Sequence, residues 1–163
     1  MDLSNNLILD FQDFPLKLKM LEKLTLPLCK GKYFRFQLKL IYSPEITISR
    51  SIRIPLSVKI FTACKPHKEV FRSLNGDEIL KGTIRTQLIY NCMEQTHIAS
   101  FKILISDISS HYSGFDLIIE AEETEYCSRN NIRIKPMIIK GISVMSKEKI
   151  CKKFREINGF LNS

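Results

Sequence analysis

Apolar residues recur at every second position through much of this chain, and that restricts it to folds built from half-buried strands. In KYFRFQLKLIY, Phe34, Phe36, Leu38, Leu40 and Tyr42 share one face. Arg35, Gln37 and Lys39 take the other, broken only by Ile41. SIRIPLSVKIF repeats the pattern, with Ile52, Ile54, Leu56, Val58 and Ile60 inward and Arg53 and Lys59 outward. Pro55 lacks the N–H that a ladder needs, so this strand is expected at an edge, bulged, or broken there. LKLKMLEKLTLPL alternates less cleanly but includes Leu24, Leu26 and Leu28. Further strands are expected at Thr83–Tyr90, Ile98–Ile105, Gly114–Ala121 and Met137–Met145. Turn signals separate them at Cys29–Lys32, Ser43-Pro44, Lys65-Pro66, Asn75-Gly76, Ser109–Gly114 and Arg129–Asn131. Short strands at regular spacing with polar turns predict an all-β, antiparallel β-sandwich.

One short helix is expected after the last strand. Ser146 is placed to cap it, and Ile150, Phe154 and Ile157 fall at helical spacing between Lys147 and about Asn158, with Gly159 beyond. The expected organisation is an N-terminal extension over 1–15, a sandwich over 16–145 and a basic helix or tail over 146–163. At 163 residues, 44% apolar and 26% charged, the chain has the size and composition of one soluble globular domain. No apolar run reaches membrane-spanning length. MDLSNNLILDFQDF reads as a poor signal peptide, having no basic segment before an apolar core. Cys29, Cys64, Cys92, Cys127 and Cys151 are odd in number, scattered and never C-x-x-C, which suits reduced thiols in the nucleus or cytoplasm.

Charge is distributed unevenly. Residues 1–28 carry a net charge of −1, 29–72 carry +8, 73–128 carry −6 and 129–163 carry +7. If the fold brings the two basic segments together, the protein presents a positive face that attracts nucleic acid or anionic membrane; otherwise the lysines serve solubility. Basic and aromatic residues interleave in KGKYFRF and SKEKICKKFRE. Lys30, Lys32 and Arg35 lie on or near a turn, Arg129 in a later one with Arg133 just beyond it, and Lys147, Lys149, Lys152, Lys153 and Arg155 cover the expected helix. Such residues grip phosphates, and an arginine can reach a base edge. The tail also has the composition of a nuclear-import signal.

The stretch SFKILISDISSHYSGFDLIIE contains Asp107, Ser109, Ser110 and His111, the residue types of a hydrolase triad. They are neighbours on one loop and no G-x-S-x-G elbow accompanies them, so the stretch reads as a strand–loop–strand corner with His111 and Tyr112 as candidate contacts at its tip. Cys64 and His67 have C-x-x-H spacing, and Cys92 and His97 would complete a zinc site if the fold gathered all four. No second tight pair supports this, and neither a metal nor a cofactor is expected. Walker, G-x-G-x-x-G and H-E-x-x-H motifs are absent. The acidic run EAEETE, Glu120 to Glu125, reads as a solvated strand end or loop.

The order of features, from GKYFRFQLKL and IRIPLSVKIF through FKILISDISSHYSGFDLIIE to IRIKPMIIKGISVMSKEK, is similar to immunoglobulin-like transcription-factor domains of the p53-like, Rel and Runt class. LKLKMLEKLTLPLCKGK is also similar to the start of the DNA-binding region of plant calmodulin-binding transcription regulators. The resemblance implies an immunoglobulin-like sandwich that binds DNA through loops at one end. It would place Lys30, Lys32, Arg35, Lys147 and Lys149 at the DNA. YFRF is sparser in arginine than the Rel recognition loop, and the zinc ligands of the p53 class have no clear counterpart. Non-enzymatic DNA binding is the first expectation. A protein-interaction module, arrestin-like or immunoglobulin-like, using Ile46–Ile54 as an edge strand for a protein partner is the second. Peripheral membrane binding through the tail is the third.

Overall fold

The structure is a computed structural model that describes residues 14–161. All but the last two residues of the expected N-terminal extension lie outside the described residues. The described residues contain ten β-strands: β1 (Leu16–Met20), β3 (Phe34–Tyr42), β4 (Ile54–Thr62), β5 (Leu80–Gly82), β6 (Arg85–Asn91), β7 (Thr96–Ile105), β8 (Phe115–Ala121) and β9 (Met137–Ile142) form the large sheet, while β2 (Leu28–Cys29) lies outside it and pairs in parallel with β10 (Val144–Met145). The described residues also contain two α-helices, α1 (Glu125–Arg129) and α2 (Lys147–Leu161).

The large sheet is folded into two layers. One holds β1, β3, β7 and β5, and the other holds β4, β8 and β9. The strand β6 joins them: Ile89–Asn91 pair with β7, while Leu88 and Thr86 lie opposite Ile54 and Leu56 of β4. The outer edges then approach each other, where Lys135 N–H donates to Leu16 O at 3.0 Å beside a bridge between Leu16 and Ile134. The result is the expected antiparallel β-sandwich with a short C-terminal helix, its sheet nearly closed. Closure of this kind leaves little open edge for unwanted pairing.

Alternation decides which side chains fill the space between the layers. Phe36, Leu38 and Leu40 of β3 point inward with Ala99, Phe101 and Ile103 of β7, against Leu56, Val58 and Ile60 of β4 and Leu117 and Ile119 of β8. Phe36 and Phe101 are register partners, and their rings stack at 5.0 Å between centroids. The two stretches that face each other most closely are therefore those with the clearest period of two.

Three local expectations change. The strand with Pro55 is central, not an edge, because it lies between β6 and β8. The proline is tolerated because it is the second residue of β4, and the ladder to β8 begins only at Leu56. Residues 46–53 form an irregular connection rather than a strand, since hydrogen bonds at Ile46 N and Ile52 N return to Ser43 and Ser49 in local turns. Helix α2 runs on through Gly159 to Leu161, Gly159 having no left-handed backbone angle to end it. Ser146 is its cap as expected: its hydroxyl accepts from Lys149 N–H at 3.2 Å.

Replacing Phe101, 1% exposed, by alanine is expected to cost about 3–5 kcal/mol in urea denaturation. Met93→Ala, at a side chain 94% exposed on a turn, should change stability by less than about 0.5 kcal/mol.

Candidate nucleic-acid interface

One end of the sandwich gathers four elements that are distant in sequence. The turn Cys29–Lys32 lies there because Lys30 N–H donates to Met145 O at 2.8 Å and Gly31 N–H to Ile105 O at 2.9 Å. Gly31 adopts a positive φ of 74°, which lets the chain turn tightly into β3. The 3-10 helix Ser109–Tyr112 adjoins it: Val144 N–H donates to Ser109 Oγ at 3.0 Å, and that hydroxyl donates to Val144 O at 3.3 Å. Two residues beyond Met145 helix α2 starts. Lys30 and Lys32 thus stand beside the root of α2, which carries Lys147 and Lys149. Arg35 follows on β3, directly opposite Lys102 of β7.

Asp107 holds this end together. Its buried carboxylate accepts from Leu74 N–H at 2.9 Å, Ile108 N–H at 2.8 Å, Tyr112 O–H at 2.9 Å and His111 Nδ1 at 2.9 Å. Burial alone would push the carboxyl up. The donors, led by the backbone N–H groups of Leu74 and Ile108, outweigh it and hold the group at about 2. Tyr112 responds in the opposite sense: burial, together with its bond to the Asp107 carboxylate and that charge, pushes its phenol up to about 12. The expected corner is therefore what the structure contains. The triad residue types are spent on it, with Ser109 committed to β10 and Asp107 to four donors. His111 keeps its side chain 42% exposed at the tip.

Other sequence candidates fall elsewhere. Arg129 and Arg133 lie beyond β8, at the opposite end of the sandwich, and Arg129 is ion-paired with Glu125 on α1. Glu120, Glu122 and Glu123 belong to that same end, and Glu122 pairs with Arg85. Lys152, Lys153 and Arg155 are exposed along α2, no residue of which is buried between Lys147 and Gly159. Phe154 and Ile157 are 65% and 60% exposed. Cys64, His67, Cys92 and His97 do not converge. Cys64 and His67 follow β4 at the basic end, Cys92 lies in the far turn between β6 and β7, and His97 is buried against Tyr90. No group of three or more metal-binding side chains is present among the described residues.

Lys19, Lys39 and Lys102 were not singled out by sequence spacing alone. On the outer face of the β1–β3–β7 layer, Lys19 is opposite Lys39 and Arg35 is opposite Lys102. Among the described residues no carboxylate is within ion-pair distance of these four. Like charges directly opposite across strands oppose folding by roughly 0.2–1 kcal/mol per pair. Alternation already put Arg35 and Lys39 on one face; finding their partners required the register. No helix among the described residues is long and apolar enough to cross a membrane. Comparison with known proteins finds no matching family model and no similar curated protein.

Because the folded pKa of Asp107 lies below the ordinary carboxylate value, its contribution is complete above about pH 4 and is lost as pH falls through about 2. Asp107→Asn should lower stability at pH 7 by about 2 kcal/mol. Urea denaturation at pH 7, 4 and 2 should show the gap between wild type and variant shrinking toward pH 2.

Proposed function

We propose that this chain is a DNA-binding β-sandwich, a transcription regulator acting in the nucleus. The observation that carries the reading is the backbone bond from Lys30 to Met145, which joins the chain's two basic segments at one end. Lys30, Lys32, Lys147 and Lys149 are assigned to phosphates. His111 contacts the backbone from the corner's tip. The Asp107 network gives the loops fixed positions before DNA arrives, which lowers the ordering cost of binding. The acidic side chains at the other end repel DNA and so orient the approach. Arg129 and Arg133 have no part in this contact.

A second reading, a non-enzymatic protein-interaction module, is favoured by the exposed apolar residues of α2. Binding of that kind depends little on salt, whereas phosphate contacts release counterions and weaken steeply as salt rises.

Fluorescence anisotropy with a mixed-sequence duplex across a salt series separates the two. Wild type should bind at low salt and lose affinity log-linearly. Lys30→Glu with Lys32→Glu should weaken binding by about tenfold or more and flatten the salt slope by about 2. Arg129→Glu with Arg133→Glu should leave it nearly unchanged. A folded protein that fails to bind at low salt would overturn the DNA reading.

A further inference from the structure

The outer face of the β1–β3–β7 layer contains a groove of about 950 Å³. After β1 the chain peels away at Leu21, whose N–H donates to Gln37 O at 3.0 Å, and residues 21–25 form one wall. Thr83 forms the other, its N–H donating to Lys102 O at 2.8 Å. The floor carries two adjacent rungs: Arg35 opposite Lys102, and Gln37 opposite Ser100, with Gln37 Nε2 donating to Ser100 Oγ at 2.9 Å. The rung of Lys19 and Lys39 continues the same face.

Gly82 fixes the wall beside Lys102. A Cβ there would stand 2.4 Å from Lys102 O and 2.9 Å from the Tyr33 ring. The Lys102 ammonium lies over that ring at 5.2 Å from its centroid. Glu22, Lys23 and Glu94 also line the groove, while the floor carries the two cations Arg35 and Lys102.

We infer that this groove is a binding site for one extended single strand of nucleic acid, held through its phosphodiesters. The inference rests on the DNA-binding reading and adds a substrate form that the basic end alone does not select. The wall backbones are separated by three inter-strand spacings, about 14 Å. That width admits one strand, whereas a duplex is too broad to reach the floor. Arg35 and Lys102 neutralise phosphates, and Gln37 and Ser100 offer an amide and a hydroxyl between them. The like-charge rungs make sense as a face completed by a polyanion: bound phosphate turns their mutual repulsion into attraction.

The test uses a twelve-residue oligothymidylate and a mixed-sequence duplex with the full chain. Lys102→Glu and Gln37→Glu are both at exposed positions. Lys102→Glu puts a carboxylate opposite Arg35, so it should raise the melting temperature slightly while weakening oligothymidylate binding by about tenfold. Gln37→Glu should weaken it in the same direction without that stabilisation. Duplex affinity should fall less than threefold in both variants, because the duplex is held by Lys30, Lys32 and α2. Equal losses for strand and duplex, or oligothymidylate binding unchanged in both variants, would overturn the groove assignment while leaving the duplex reading intact. Absence of binding to either nucleic acid would overturn both.

Discussion

The register between β3 and β7 determines both sides of the molecule's basic layer. On the inner side it brings Phe36 onto Phe101 and Leu38 beside Ala99, and on the outer side it sets Arg35 against Lys102 and Gln37 against Ser100. A slip of one residue would carry the phenylalanines into water and the charges into the core, so apolar burial enforces the outer arrangement as well. The like-charge rungs therefore persist because the core holds them there. Stacked aromatics and filled aliphatic layers contribute several kcal/mol, against a few tenths to 1 kcal/mol lost at each charged rung.

The basic end depends on this layer and on a second constraint. The ladders of β3, β7, β8 and β9 deliver the turn at Lys30, the corner at Asp107 and the start of α2 to the same end. What fixes them relative to one another is a small set of directional bonds: Lys30 to Met145, Ser109 to Val144, and the four donors on Asp107. A single buried carboxylate so placed orders the hairpin tip at Leu74 and the 3-10 helix together. The charges at this end are thus carried by loops with little freedom, the condition under which surface lysines select a geometry for phosphates instead of a diffuse attraction.

Much of the scaffold was legible in the sequence because burial on one side imposes a period of two. The strands around Phe36, Val58, Phe101 and Leu117 needed no partner to be recognised, and Ser146 marked its helix by its capping chemistry. Residues 46–53 misled because isolated β-branched residues have strand propensity whether or not a neighbour is available to pair with them. Pro55 misled because its effect depends on where the neighbouring ladder begins. Helix α1 was missed although Thr124 caps it, its hydroxyl accepting from Cys127 N–H at 3.2 Å, because an acidic run hides so short a helix. At the candidate site, Lys30, Lys32, Arg35, Lys147 and Lys149 were legible as basic clusters. Their meeting at one end, the separation of Arg129 and Arg133, and the pairing of Lys19 with Lys39 are properties of register and topology, which no local pattern encodes.

A map of backbone amide chemical-shift changes on titration with duplex DNA at low salt shows directly which end of the sandwich meets DNA. DNA held at the basic end concentrates the changes at residues 30–35, 109–112 and 145–150 and leaves the far turns near Arg129 and Arg133 unmoved. Changes centred on the far end, or spread evenly over the surface, would contradict that placement.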